Sequence, residues 1–136
     1  MAKPIGAIVA GFIVWSMVAG FAALAARHGW PAYAAVEKER AYSLWMYLAR
    51  LATGMAATLA GGATAAWVDR RSKQTAFMFG ALLLLISVVH HIRIWDQYPV
   101  WYHLFYLTYI VPLALIAGPV RPHMPPPAGP AGGEYA

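Results

Sequence analysis

Length, composition and charge together indicate a protein that folds in lipid. The 136-residue chain is 61% hydrophobic and 11% charged, whereas soluble domains are about 45–50% apolar and about 25% charged. The chain contains no cysteine, which excludes disulfides, thiolate metal sites, c-type haem attachment and cysteine nucleophiles. The net charge of +5 is spread over helix ends and short loops, so it favours membrane lipid as the partner and not nucleic acid.

Four stretches are long and apolar enough to cross a bilayer, which takes about 20 residues of helix. The sequence therefore predicts an all-α fold, a four-transmembrane-helix bundle within a single domain, 1–118. The first apolar run is longer than the roughly 7–15 residues of a signal-peptide core, so we expect a retained helix. The predicted spans are 5–26, 44–67, 75–94 and 101–118.

The first loop and the C-terminal segment have contrasting compositions. Trp30-Pro31 and the residues after it predict a short interfacial helix, because proline is favourable at a first helical position. Trp30, Tyr33 and Val36 would then face lipid and 37–40 would face water; a solvated loop is the alternative. The last segment, 119–136, is rich in proline and glycine and is predicted to be a flexible tail.

The most basic connection is 69–73, with the sequence DRRSK. By the positive-inside rule this loop stays in the cytoplasm, so both termini are predicted to be cytoplasmic. Lys3 and Arg121 agree with that orientation. With four spans, the start of span 2, the end of span 3 and the start of span 4 then share the non-cytoplasmic leaflet.

Small residues recur along span 2 at helical spacing. They permit close approach of neighbouring helices, so span 2 is predicted to be the centre of the bundle, with small-residue surface left over for a homo-oligomer or a larger membrane complex. Arg50 lies about two turns inside this span, where it either snorkels to the headgroups or pairs with an acidic residue. The first row is Ala49, Thr53, Ala57, Gly61 and Ala65, the second is Ala52, Ala56, Ala60 and Thr64, and the acidic candidates are Glu37, Glu39 and Asp96.

Histidines and aromatic residues gather where spans 3 and 4 meet. One interpretation is an interfacial belt, in which Arg50, Arg93 and Asp96 form a structural polar cluster. Another is a site for b-type haem, quinone or lipid, since histidines on facing helices at matching depth are haem ligands. The candidate binding residues are His90, His91, His103, Tyr102 and Tyr106.

Catalysis and metal binding receive less support. A metal site from His90, His91, Asp96 and His103 is disfavoured because neighbouring helical residues point in different directions. A proton relay is disfavoured because the inner halves of the spans lack ionisable residues, and no enzyme motif such as HExxH or GxSxG occurs. The predicted function is therefore a non-catalytic accessory or scaffolding component, and a binder of a hydrophobic small molecule is the alternative.

Several segments resemble a set of small, uncharacterised four-helix bacterial membrane proteins. The segments are GFIVW in span 1, WPAYAAVEKERAYSLWM around the first loop and YPVWYHLFYLTYIVPLALIAG in span 4, and DQYPVWYH is the most specific of them. The resemblance covers nearly the whole chain. It implies a multi-pass protein of the bacterial inner membrane and implies nothing about activity.

Overall fold

The computed structural model describes residues 2–69 and 73–118. Within these ranges the chain is helical, and no strand occurs. The elements are α1 (Ala2–Gly29), α2 (Pro31–Val36), α3 (Leu44–Val68), α4 (Lys73–Arg93), a 3-10 turn (Trp95–Gln97) and α5 (Val100–Ala117).

Four of these helices, α1, α3, α4 and α5, are long and apolar enough to cross a membrane. They correspond to the four predicted spans, and α1 extends three residues beyond each end of the predicted 5–26. The all-α prediction and the number of candidate spans are thus confirmed. By length and composition the chain is compatible with a multi-pass membrane protein.

Helix α3 is the centre of the bundle, as predicted, and contacts α1, α4 and α5. Its glycines allow this packing: a Cβ atom on Gly61 would lie 2.8 Å from the carbonyl oxygen of Gly11 on α1. A Cβ atom on Gly62 would lie 2.9 Å from the Cα atom of Ala114 on α5. Small residues therefore bring these backbones together where apolar burial supplies no net attraction between helices.

The two small-residue rows of α3 have different surroundings. Ala57, Gly61 and Ala65 of the first row are buried in the bundle, whereas Ala52 and Ala56 of the second row are exposed on the surface. Helix α1 contacts α3 extensively but α4 only slightly. The bundle is thus tightly closed between α1 and α3 and looser between α1 and α4.

Helix α2 is the short helix predicted in the first loop, and Pro31 occupies its first turn. The predicted lipid-facing position of Tyr33 is wrong, because Tyr33 is only 3% exposed. Its hydroxyl group accepts a hydrogen bond from Arg50 on α3. A polar partner inside the bundle therefore draws this ring inwards.

The antiparallel order of the helices brings the start of α3, the end of α4 and the start of α5 to one end of the bundle. This end carries Arg50 and the three candidate histidines. The predicted flexible tail, 119–136, and Arg70 and Arg71 of the basic loop lie outside the described residues. The tail and the cytoplasmic location of the loop therefore stay predictions.

Candidate functional site

Two neighbouring cavities lie at the histidine-rich end of the bundle. The larger has a volume of about 470 Å³ and the smaller about 200 Å³. Trp15, Arg50, Tyr102 and Tyr106 line both of them. Small-molecule pockets in proteins measure about 300–1,000 Å³, so only the larger cavity reaches that range.

The larger cavity is polar at one end and apolar at the other. Arg50, His91 and Tyr98 line it near the end of the bundle, and Phe12 and Leu83 line it deeper within the spans. Because a helix rises 1.5 Å per residue, the eight positions from Leu83 to His91 correspond to about 12 Å of depth. The cavity therefore suits a molecule with a polar end and an apolar body.

The mouth of this cavity faces sideways, between α1 and α4. Ser16 of α1 and Ile86 and His90 of α4 line the cavity and are exposed on the surface of the bundle. These two spans contact each other far less extensively than α1 contacts α3. If the four helices span a bilayer, the opening faces lipid.

His91 and His103 form a buried pair inside this end of the bundle. Their Nδ1 atoms lie 2.7 Å apart, and the side chains are 4% and 0% exposed. The Nε2 atom of His103 lies 3.1 Å from the backbone carbonyl oxygen of Trp95 in the 3-10 turn. The indole ring of Trp95 also stacks on the imidazole of His103, with ring centroids 4.6 Å apart.

The Trp95 carbonyl determines the tautomers of both rings. A carbonyl oxygen only accepts, so the Nε2–H group of His103 donates to it, and the Nδ1 atom of neutral His103 is an acceptor. The Nδ1–H group of His91 then donates to His103. Consequently the Nε2 atom of His91 carries the lone pair, and a histidine used as a ligand is oriented in the same way by a hydrogen bond from its other ring nitrogen.

This nitrogen is available for binding. Among the described residues, no group forms a hydrogen bond with the Nε2 atom of His91. Within the described ranges, this nitrogen is also not one of the polar side-chain atoms that are both fully buried and without a partner. Because His91 lines the larger cavity, its lone pair can meet a ligand there.

Arg50 supplies a positive charge beside both cavities, and its predicted pairing with an acidic residue is wrong. Its guanidinium donates to the hydroxyl groups of Tyr33 and Tyr98 and lies over the ring of Tyr42, 5.1 Å from the centroid. It pairs with none of the predicted acidic residues; Glu37 pairs with Arg27 at 2.8 Å instead. Tyrosine hydroxyl groups take the place of the predicted acidic partner, and snorkelling of Arg50 to the headgroups stays a prediction.

The tyrosines around Arg50 form a continuous aromatic layer. Tyr98 stacks on Tyr42 and on Tyr102, with centroids 6.1 and 5.2 Å apart. Tyr42 lies in the loop before α3, and burial raises the pKa of its hydroxyl group, with Tyr33 adding to the shift. Neutral rings therefore surround the Arg50 charge.

The remaining candidate residues lie outside this arrangement or at its edge. His90 lies at the mouth of the cavity, and Tyr102 and Tyr106 line its wall. Arg93 and Asp96 are exposed, and neither contacts Arg50. The predicted polar cluster of these two residues with Arg50 is therefore not assembled. In the ranges 2–69 and 73–118 no group of three metal-binding side chains occurs.

Sequence reasoning did not assign Trp15, Tyr33, Ser87 or Tyr98 to the site, although all four line one or both cavities. Ser87 lies one helical turn before His91 on α4 and is buried. Its spacing from His91 was the one available signal for its position. The others come from α1, α2 and the turn before α5, and no local pattern links them.

The helices and cavities together describe a class: an α-helical chain with four candidate membrane spans and an internal cavity lined by histidine, arginine and tyrosine. Comparison with protein-family models, with curated proteins and with solved structures finds no match.

Proposed function

We propose that this protein binds a hydrophobic small molecule with a polar head in the larger cavity. The observation that carries the proposal is the cavity itself, about 470 Å³, with Arg50 and His91 at one end and apolar side chains at the other. Ionisable side chains within candidate membrane spans are costly and mark functional sites by default. Here they line a space that nothing within the described chain fills.

The geometry limits which molecules fit. Haem bound by both His91 and His103 does not fit, because both ring nitrogens of His103 are engaged: Nδ1 accepts from His91 and Nε2 donates to the Trp95 carbonyl. Haem bound through one histidine would use the Nε2 atom of His91. A quinol or a lipid would instead donate a hydroxyl group to that nitrogen, because Nε2 is an acceptor.

The proposal is tested by filling the cavity. Ser87 is buried and lines the cavity, so Ser87→Phe places a ring in the space that a ligand would occupy. Leu85→Phe is the matched control, because Leu85 is 62% exposed on the same helix. Both variants and the parent protein are purified in detergent and analysed by native mass spectrometry, organic extraction and absorption spectroscopy.

We expect a small molecule to co-purify with the parent and with Leu85→Phe, and to be lost from Ser87→Phe. A Soret band would identify the molecule as haem. Recovery of the same molecule in equal amount from Ser87→Phe would contradict the proposal, provided that circular dichroism shows this variant to be folded.

An accessory or scaffolding role in a membrane complex is the second candidate. It is favoured by the exposed small residues Ala52 and Ala56 on α3, which offer close approach to another helix. A double substitution of both by leucine is expected to release a stoichiometric protein partner or to dissociate a homo-oligomer in size-exclusion chromatography with light scattering. Unchanged mass and composition would contradict this role.

A location in a bacterial inner membrane, with both termini in the cytoplasm, belongs to the same proposal. It is supported by the apolar helices and by the basic residues at 69–73. Reporter fusions at the two termini are expected to be active only as cytoplasmic reporters. A periplasmic signal from either fusion would reverse or break the proposed topology.

A further inference from the structure

We infer that the molecule in the larger cavity is an anionic amphiphile, whose carboxylate or phosphate group contacts Arg50 and Trp15. This inference rests on the proposed function and adds the chemical class of the ligand. Three observations carry it: the uncompensated charge of Arg50, two buried N–H groups without partners, and the polarity gradient of the cavity.

The charge of Arg50 has no counter-charge among the residues that the structure describes. The ion pair found there joins Arg27 to Glu37, and Arg50 interacts with tyrosine hydroxyl groups and rings. Desolvation of a cation is costly unless an opposite charge offsets it. An anion in the adjoining cavity supplies that charge.

Two buried N–H donors adjoin the same space. The Nε atom of Arg50 and the Nε1 atom of Trp15 are buried, and neither has a hydrogen-bond partner in the described chain. Both side chains line both cavities. A buried unpaired donor costs about 1–3 kcal/mol. A carboxylate or phosphate offers acceptors only, so a group of this class can pair with such donors.

The other cavity walls determine how the molecule is oriented. The lone pair on the Nε2 atom of His91 repels an anionic oxygen, which places the anion at Arg50 and leaves His91 to accept a hydroxyl or acid proton of the head group. Phe12, Leu83 and Ile86 line the apolar part of the cavity. An alkyl chain fits there.

The test uses the full protein in phosphatidylcholine nanodiscs and three probes of equal chain length. Laurate carries a carboxylate, dodecyl phosphate carries a phosphate, and 1-dodecanol is the uncharged control. Binding is measured by isothermal titration calorimetry, after subtraction of the signal from discs without protein. We expect both anions to bind at least about tenfold more tightly than dodecanol, which corresponds to about 1.4 kcal/mol.

Variants separate the contact at Arg50 from general electrostatics. Arg50→Gln is expected to reduce the affinity for both anions to that for dodecanol. Arg93→Gln removes an exposed cation from the same end of the bundle and is expected to change neither affinity. Trp15→Phe keeps a smaller aromatic side chain and removes the N–H group, so it should weaken anion binding severalfold and weaken dodecanol binding less, and it serves as the test even where Arg50→Gln fails to fold.

Each result decides one of the two proposals. Equal affinity for all three probes would refute the inference that the ligand is anionic, and the cavity would still be a binding site. Absence of binding by any probe, dodecanol included, would overturn the proposed function itself. Tighter binding of laurate would identify the ligand as a fatty acid, and tighter binding of dodecyl phosphate would identify it as a lipid with a phosphate head group. Loss of anion binding in Arg93→Gln equal to that in Arg50→Gln would refute the specific contact.

Discussion

The buried pair of His91 and His103 permits a test with an unusual outcome. His103→Phe keeps a ring of similar size beneath Trp95 but removes the acceptor for the Nδ1–H group of His91. Because His91 is 4% exposed, we expect the stranded donor to lower the free energy of unfolding by about 1–3 kcal/mol. His91→Phe strands the Nδ1 acceptor of His103 and should have a comparable effect.

The double variant is expected to be more stable than the sum of the two single effects predicts. Replacing both hydrogen-bond partners by apolar groups of similar shape can be nearly neutral, because no ring nitrogen is then left buried without a partner. The Trp95 carbonyl loses its donor in both His103→Phe and the double variant, so this loss cancels in the coupling between the two histidines. Directly contacting residues couple by about 0.5–3 kcal/mol. A bond of 2.7 Å between two buried rings belongs in the upper part of that range.

The measurement is reversible unfolding in mixed micelles of dodecyl maltoside and sodium dodecyl sulfate, followed by circular dichroism. His90→Phe is the control, because His90 directly precedes His91 on α4 and is exposed. Its replacement should change the free energy of unfolding by no more than about 0.5 kcal/mol. Strict additivity of the two single variants would refute the hydrogen bond, and with it the tautomer assigned to His91.

Three further predictions concern packing, pH and backbone strain. Gly61→Ala should lower the free energy of unfolding by about 1–3 kcal/mol, because its Cβ atom would lie 2.8 Å from the Gly11 carbonyl oxygen. Gly20→Ala is the control: no atom lies within 4 Å of its added Cβ atom, so it should raise the free energy of unfolding by up to about 1 kcal/mol. Equal effects of the two variants would refute the close contact between α1 and α3. The pKa of the Tyr42 hydroxyl group is raised in the folded state, so the unfolded chain releases the hydroxyl proton at lower pH than the folded protein does. The free energy of unfolding should therefore fall as pH rises above about 10. In Tyr42→Phe this fall should be smaller. Arg40 has a φ of 54°, a backbone conformation that strains residues other than glycine. Arg40→Gly should therefore raise the melting temperature, and Arg40→Ala should leave it unchanged. A lower melting temperature for Arg40→Gly would show that the backbone is not strained there.

The spans and the depth of the histidines were predictable because both follow from length and hydrophobicity. In lipid, a run of about 20 apolar residues commonly forms a membrane-spanning helix. The turn at 95–99 then brings the end of α4 beside the start of α5, and His91 and His103 necessarily lie at similar depth. The sequence could not distinguish His90 from His91, because that choice depends on the rotation of α4 about its axis.

The partners of Arg50 were not predictable in the same way. Charge suggested Glu37, Glu39 or Asp96, but the structure places the hydroxyl groups of Tyr33 and Tyr98 there. Tyrosine is common at membrane interfaces, so its presence in a loop carries little information about a specific contact. Only the tertiary packing of α2 against the bundle brings Tyr33 to Arg50.

The small-residue rows of α3 illustrate a further limit. Both rows have the same spacing, yet Ala57, Gly61 and Ala65 of one are buried, whereas Ala52 and Ala56 of the other are exposed. Spacing identifies a surface that another helix can approach, but it does not say which helix does so. The choice is made by Gly11 on α1 and Ala114 on α5, whose backbones fit against Gly61 and Gly62.

The sideways mouth between α1 and α4 has a consequence for how occupancy is controlled. A molecule that enters from the bilayer equilibrates with its mole fraction in lipid, and its concentration in water matters only through partitioning. Adding lipid at constant volume should therefore empty the cavity, whereas diluting the same proteoliposomes with buffer should leave it filled.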